Sequence, residues 1–136
     1  MSKFLKKLKD VLRSPYAPNP HRRKEVVHNL AQRDSLTNEE WHHQFAEPLG
    51  IPLSFVAWYR DTCSEYFGYD LSAALPNDKL IDDLGLFEAT WGDSDWDILE
   101  DYEAQFKCKR PLLEDVTTFG QFLEQLWVNA QKNTNA

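Results

Sequence analysis

The chain is poor in the residues that advertise chemistry. It has one methionine and two cysteines, Cys63 and Cys108, which are too far apart for a C-x-x-C motif. No signal-like apolar run precedes them, so the expectation is reduced thiols in a bacterial-type cytoplasm rather than a disulfide scaffold. Nothing approaches the roughly 20 consecutive apolar residues of a membrane-spanning helix. Glycine occurs five times and never in a phosphate-cradling loop, and no G-x-S-x-G elbow is present. Val and Ile are scarce and no stretch alternates with period two, which argues against strands.

Basic charge is missing from most of the chain. Residues 1–33 carry nine Lys/Arg against two Asp/Glu, giving +7, whereas the remaining residues carry six against twenty, giving −14. The acidic body would repel a phosphate backbone, so no nucleic-acid partner is expected for it. What the chain does have is apolar mass: 42% hydrophobic residues, with five Trp, eight Phe and five Tyr. That suffices for one folded domain at 136 residues. The organisation read from this is a basic leader and linker over 1–33 and an acidic helical domain over 34–136.

In SKFLKKLKDVLR the apolar residues Phe4, Leu5, Leu8, Val11 and Leu12 follow helical spacing, with Lys3, Lys6, Lys7, Lys9 and Arg13 on the other side. This predicts a short basic amphipathic helix, suited to weak contact with an anionic membrane or a partner groove, or to packing on the acidic body. Pro15, Pro18 and Pro20 mark SPYAPNPHRRK as an extended linker, followed by a weak helical pattern in EVVHNLAQR.

Helix signals are clearer downstream. Thr37 and Glu40 form a capping box with Leu36 and Trp41 as its hydrophobic staple, predicting a helix that ends before Pro48. Ser54 is the expected cap of the next helix, striped by Val56, Tyr59, Cys63, Tyr66 and Phe67 and stopped by Gly68. Cys63 on that stripe reads as a buried small hydrophobe. The segment WGDSDWDILEDYEAQF predicts a helix over 93–106, capped by Asp93, Ser94 and Asp95. Its apolar stripe is Trp96, Leu99, Tyr102 and Phe106. The last helix, capped by Thr117 or Thr118, is striped by Phe119, Phe122, Leu123, Leu126 and Trp127.

Three constellations fail as reactive sites. Asp93, Asp95 and Asp97 open like a calcium loop, yet Ile98 and Ala104 stand where glycine and a bidentate glutamate are required. His42 and His43 are neighbours, and adjacent helical residues diverge by about 100°, so they do not make a metal site. Ser94 and Cys63 are the candidate nucleophiles, but all four histidines lie before residue 44. No enzyme, metal or cofactor is expected.

From residue 54 to about 130 the order of elements resembles an acyl carrier protein. FVAWYRDTCSEYFGYDL is similar to the first carrier helix, PNDKLIDDLG to the loop before the second, WGDSDWDILEDYEAQF to the second, and DVTTFGQFLEQLW to the last. The resemblance implies an all-α fold, a small antiparallel helical bundle, here with additional N-terminal helices. It also implies that a serine at the start of the second helix bears 4'-phosphopantetheine, which points to Ser94. In carriers that serine lies closer behind the Asp-Leu-Gly glycine than the nine residues separating Ser94 from Gly85. Counted back from the closing aromatic, the position falls on Gly92, and Asp95 replaces an apolar contact residue. The pattern is more similar to uncharacterised bacterial carrier-like proteins in which an acidic triplet replaces the attachment serine.

The expected function is therefore a non-catalytic protein-interaction module. Its acidic helix would meet a partner with a basic surface through Asp93, Asp95, Asp97, Glu100, Asp101 and Glu103. The alternatives are a working carrier with its arm on Ser94 and an immunity-type inhibitor that masks a basic toxin.

Overall fold

The computed structural model describes residues 17–134, and the amphipathic segment at 3–13 lies outside them. Among the described residues the fold is all-α, with five α-helices and no strand. The helices are α1 (Pro20–Ala31), α2 (Asn38–Trp41), α3 (Leu53–Phe67), α4 (Ser94–Phe106) and α5 (Phe119–Thr134).

The supposed linker is the first departure from expectation. Asn19 Oδ1 accepts hydrogen bonds from the backbone N–H groups of His21 and Arg22 at 3.0 and 3.1 Å, which makes it the cap of α1. Pro20 then occupies the first helical position, where its missing N–H costs nothing. The helix includes EVVHNLA, and Val26 and Leu30 are buried in the core. Its basic residues also serve the fold: Arg22 Nε meets Glu88 at 3.1 Å and Arg23 donates to the carbonyl of Gly68, next to the end of α3.

The capping box at Thr37 forms as expected, with reciprocal 3.1 Å bonds between Thr37 and Glu40. Only one α-turn follows before the chain widens into a π-helical turn over His42–Ala46 and tightens into a 3₁₀ turn over Glu47–Leu49. Gly50 ends this run in the left-handed region, with φ 73°. The next helix starts at Leu53 after Pro52 with no side-chain cap, so Ser54 lies inside its first turn. Gly68 stops it at φ 82°.

Aromatic rings join α3, α4 and α5. Phe55 packs against Phe106 and Trp127 with centroids 4.9 and 5.1 Å away, and Tyr59 stacks on Phe119 at 4.8 Å. Two buried hydroxyls point across the helices to backbone: Tyr59 donates to Phe119 O at 2.7 Å and Tyr102 to Leu126 O at 2.8 Å. Each ring removes a large apolar surface from water, worth roughly 1.5–3 kcal/mol, and the hydroxyl bonds fix its orientation. Cys63 is fully buried on this stripe, and desolvation pushes its thiol pKa up, in keeping with a packing role.

The loop from Gly68 to Asp93 is long but ordered by polar anchors. Arg60 is buried, and its guanidinium donates to Asn38 Oδ1, Leu36 O and Ser72 O at 2.6, 2.8 and 2.8 Å. Arg33 pairs with both oxygens of Asp78 at 2.6 and 2.9 Å, and Asp78 also accepts from Leu75 N at 2.7 Å. Trp41 Nε1 donates to Ala74 O at 2.8 Å. An antiparallel bridge between Lys79 and Thr118 ties this loop to the start of α5, where Thr118 Oγ1 caps Gln121 N at 3.2 Å.

Candidate functional site

Helix α4 is rotated relative to the expected stripe. Ser94, Ile98, Leu99 and Tyr102 are buried, whereas Trp96 is 57% exposed. At about 100° per residue, Trp96 lies 60° beyond Leu99, at the edge of the apolar arc, and Ile98 takes its place in the core. Arg110 covers the exposed ring, 4.2 Å from its centroid, and Trp96 Nε1 donates to Glu100 at 2.7 Å.

Asp93 precedes the helix but makes no side-chain cap bond, and Ser94 is its first helical residue. Ser94 Oγ is fully buried and has no hydrogen-bond partner. As the fold stands, the hydroxyl is out of reach of a transferase, and attaching a prosthetic arm would require this end of α4 to open. The side-chain cap expected at Asp93 does not form, and the first bond of the helical ladder runs from Asp97 N to Asp93 O at 3.0 Å.

The six acidic positions do not form one surface. Asp93, Asp97, Glu100 and Asp101 fall on one side of α4 by helical register. Asp101 is drawn toward α3, where it accepts from Trp58 Nε1 at 3.3 Å and Tyr66 OH at 3.2 Å. Glu103 lies round the helix with Arg110, accepting from its side chain at 2.6 Å and its backbone N–H at 3.1 Å. Those bonds hold the Glu103 carboxyl pKa below its ordinary value.

Asp95 lies elsewhere. It is in register with the buried arc of Ile98 and Tyr102, but at the first turn of α4 the core gives way to a groove of about 650 Å³. The groove is walled by Leu80, Ile81, Leu86 and Phe87 from the loop before α4, by Leu113, Val116 and Thr117 from the loop after it, and by Phe122 of α5. Its charged residues are Asp82, Asp95 and Asp115 against Lys79. Ile81 and Phe87 are 45% and 44% exposed, a large share for such side chains.

Two of the three non-glycine residues with positive φ among the described residues lie on the groove wall. Phe87 has φ 74° and Asp115 φ 56°, both left-handed. Aspartate tolerates that region, whereas for a bulky side chain it costs roughly 1–2 kcal/mol. Phe87 is held there by its N–H donating to the buried Thr90 Oγ1 at 2.9 Å, and by the turn at Gly85, where Ala89 N donates to Gly85 O at 2.7 Å. Gly85 itself has φ 77°, and a Cβ there would stand 2.7 Å from Ala89 Cβ.

Reading the sequence for helical stripes passes over Ile81, Phe87, Asp82 and Asp115, because all four lie in loops. The available signal was apolar residues interleaved with acids outside any helical period. His42 and His43 diverge as expected, His42 Nε2 lying 2.9 Å from Ile51 O and His43 Nδ1 2.8 Å from Glu47. No cluster of three or more potential metal ligands occurs among the described residues, and none of the described helices is long and apolar enough to cross a membrane. Compared with family models, curated proteins and solved structures, the chain finds no match.

Proposed function

We propose that the chain is a non-catalytic, carrier-like helical module that binds a protein partner with a basic surface, and that its binding face is the start of acidic helix α4 together with the groove beside it. The observation that carries this reading is the joining of exposed Ile81 and Phe87 to Asp82, Asp95 and Asp115 in one concave surface. An apolar floor with an acidic rim suits a basic amphipathic ligand, whose apolar side supplies affinity and whose charges supply orientation. The acids on the outer side of α4, Asp93, Asp97 and Glu100, extend the same negative field beyond the groove.

Site-specific photocrosslinking in the native host tests it. A photoreactive residue at Ile81 in the full chain is expected to capture a discrete basic partner. Capture should disappear when Asp82, Asp95 and Asp115 are changed to lysine, and a probe at exposed Lys24 on α1 should not reproduce it. Adducts that are the same from both positions, or that survive the charge reversal, would overturn the reading.

A further inference from the structure

The strongest unassigned relation in the molecule is between the groove and the sixteen residues that precede the described chain. The chain emerges at the groove's edge: Asn19 N donates to Glu88 O at 2.8 Å, next to Phe87 of the groove wall. Charge is matched as well. Arg22, Arg23 and Arg33 are engaged with Glu88, the Gly68 carbonyl and Asp78, and by sequence residues 1–16 carry Lys3, Lys6, Lys7, Lys9 and Arg13 against Asp10 alone. The groove answers with three aspartates and one lysine.

We infer that residues 3–13 of this same chain dock in the groove as a basic amphipathic helix, with Phe4, Leu5, Leu8 and Val11 against Ile81, Phe87 and Val116 and the lysines toward Asp82, Asp95 and Asp115. This rests on the reading of the groove as the binding face and names its occupant in the free chain. The reach is sufficient: the six residues from Asn19 back to Arg13 can span at most about 22 Å. An eleven-residue helix is about 17 Å long. A tether this short gives an effective concentration in the millimolar range, so even a weak intrinsic contact is populated. The segment is too short to be a stable helix alone, at below about 12 residues, so the groove supplies the apolar surface that its folding requires.

The test uses the full chain with Ser2→Cys carrying a nitroxide and Cys108→Ser removing the second accessible thiol, observed by amide NMR. The amides of Ile81, Phe87 and Val116 should lose most of their signal, unchanged on tenfold dilution, and recover it when Leu5→Glu and Leu8→Glu are added. Broadening that fades on dilution assigns the docking to a second copy and overturns the inference. So does broadening that appears only with anionic vesicles, or that falls away from the groove. A synthetic peptide of residues 1–16, titrated into the Leu5→Glu/Leu8→Glu chain, separates the two readings. If it shifts the groove amides while the nitroxide shows no docking in the intact chain, the groove binds such ligands but the leader does not fill it. If neither effect is seen, the groove reading falls too.

Discussion

The region around Arg60, Trp41 and Asp78 and the region around Ile81, Phe87 and Val116 are built from similar material and finished differently. At the first, polar side chains pin the loops: buried Arg60 satisfies two backbone carbonyls and Asn38, buried Trp41 reaches Ala74 O, and the more exposed Arg33 grips buried Asp78. At the second, apolar side chains stand 44–45% exposed, the backbone at Phe87 is left-handed, and three carboxylates share a concave surface with one lysine. Loops of similar irregularity thus serve stability in one region and exposure in the other, and the difference lies in whether their polar and apolar groups find partners within the chain.

Substitutions should separate the two regions by size of effect. Arg60→Ala is expected to cost the most, about 4 kcal/mol, because a buried side chain is removed and three part-buried acceptors lose their donor at once; a shift of the urea midpoint at constant slope would measure it. Gly85→Ala should follow at about 3 kcal/mol, combining left-handed strain with the crowding against Ala89 and Val26. Its thermal unfolding should show the loss, and a neutral result would place the strain elsewhere. Ser94→Ala should move the other way, raising stability by about 1 kcal/mol through removal of a buried, unpartnered hydroxyl. A destabilised Ser94→Ala would mean that the hydroxyl has a partner after all. Phe87→Asn in the groove should change stability by no more than about 0.5 kcal/mol, while removing most of the apolar contact offered to a ligand.

The smallest effect concerns pH. Arg110 depresses the Glu103 pKa in the folded chain, so the contribution of this pair is fully present above the ordinary glutamate value and is lost as pH falls through the lower folded value. In Arg110→Ala, carboxyl ¹³C shifts should show Glu103 titrating at a higher pH than in the parent.

The helices were legible because their signals are local. Thr37 with Glu40, Gly68 after Phe67, and the stripe of Phe119, Phe122, Leu123 and Leu126 all act within a few residues, and each appears in the fold as written in the chain. Where the reading went astray, a local signal had two meanings. Pro20 can break a helix or begin one, and Asn19 decided between them. Trp96 fits the spacing of a buried stripe, but Ile98 fits it as well, and the core took the residue without a polar ring nitrogen. The groove was not legible at all. Its walls come from two loops and α5, separated by some thirty residues of chain, and only the assembled fold makes neighbours of them.

The bridge between Lys79 and Thr118 governs when that surface exists. Leu80 N donates to Thr117 O, Phe119 N to Asp78 O and Gly120 N to Pro76 O, all at 2.9 Å, so the two sides of the groove are joined by backbone across a long stretch of sequence. Contacts between such distant residues carry a large loop-closure cost and form with the whole domain rather than ahead of it. Ligand recognition at this face is therefore a property of the completed fold: a nascent or partly unfolded chain presents no groove, and the amide of Leu80 should exchange its hydrogen only when the domain opens as a unit.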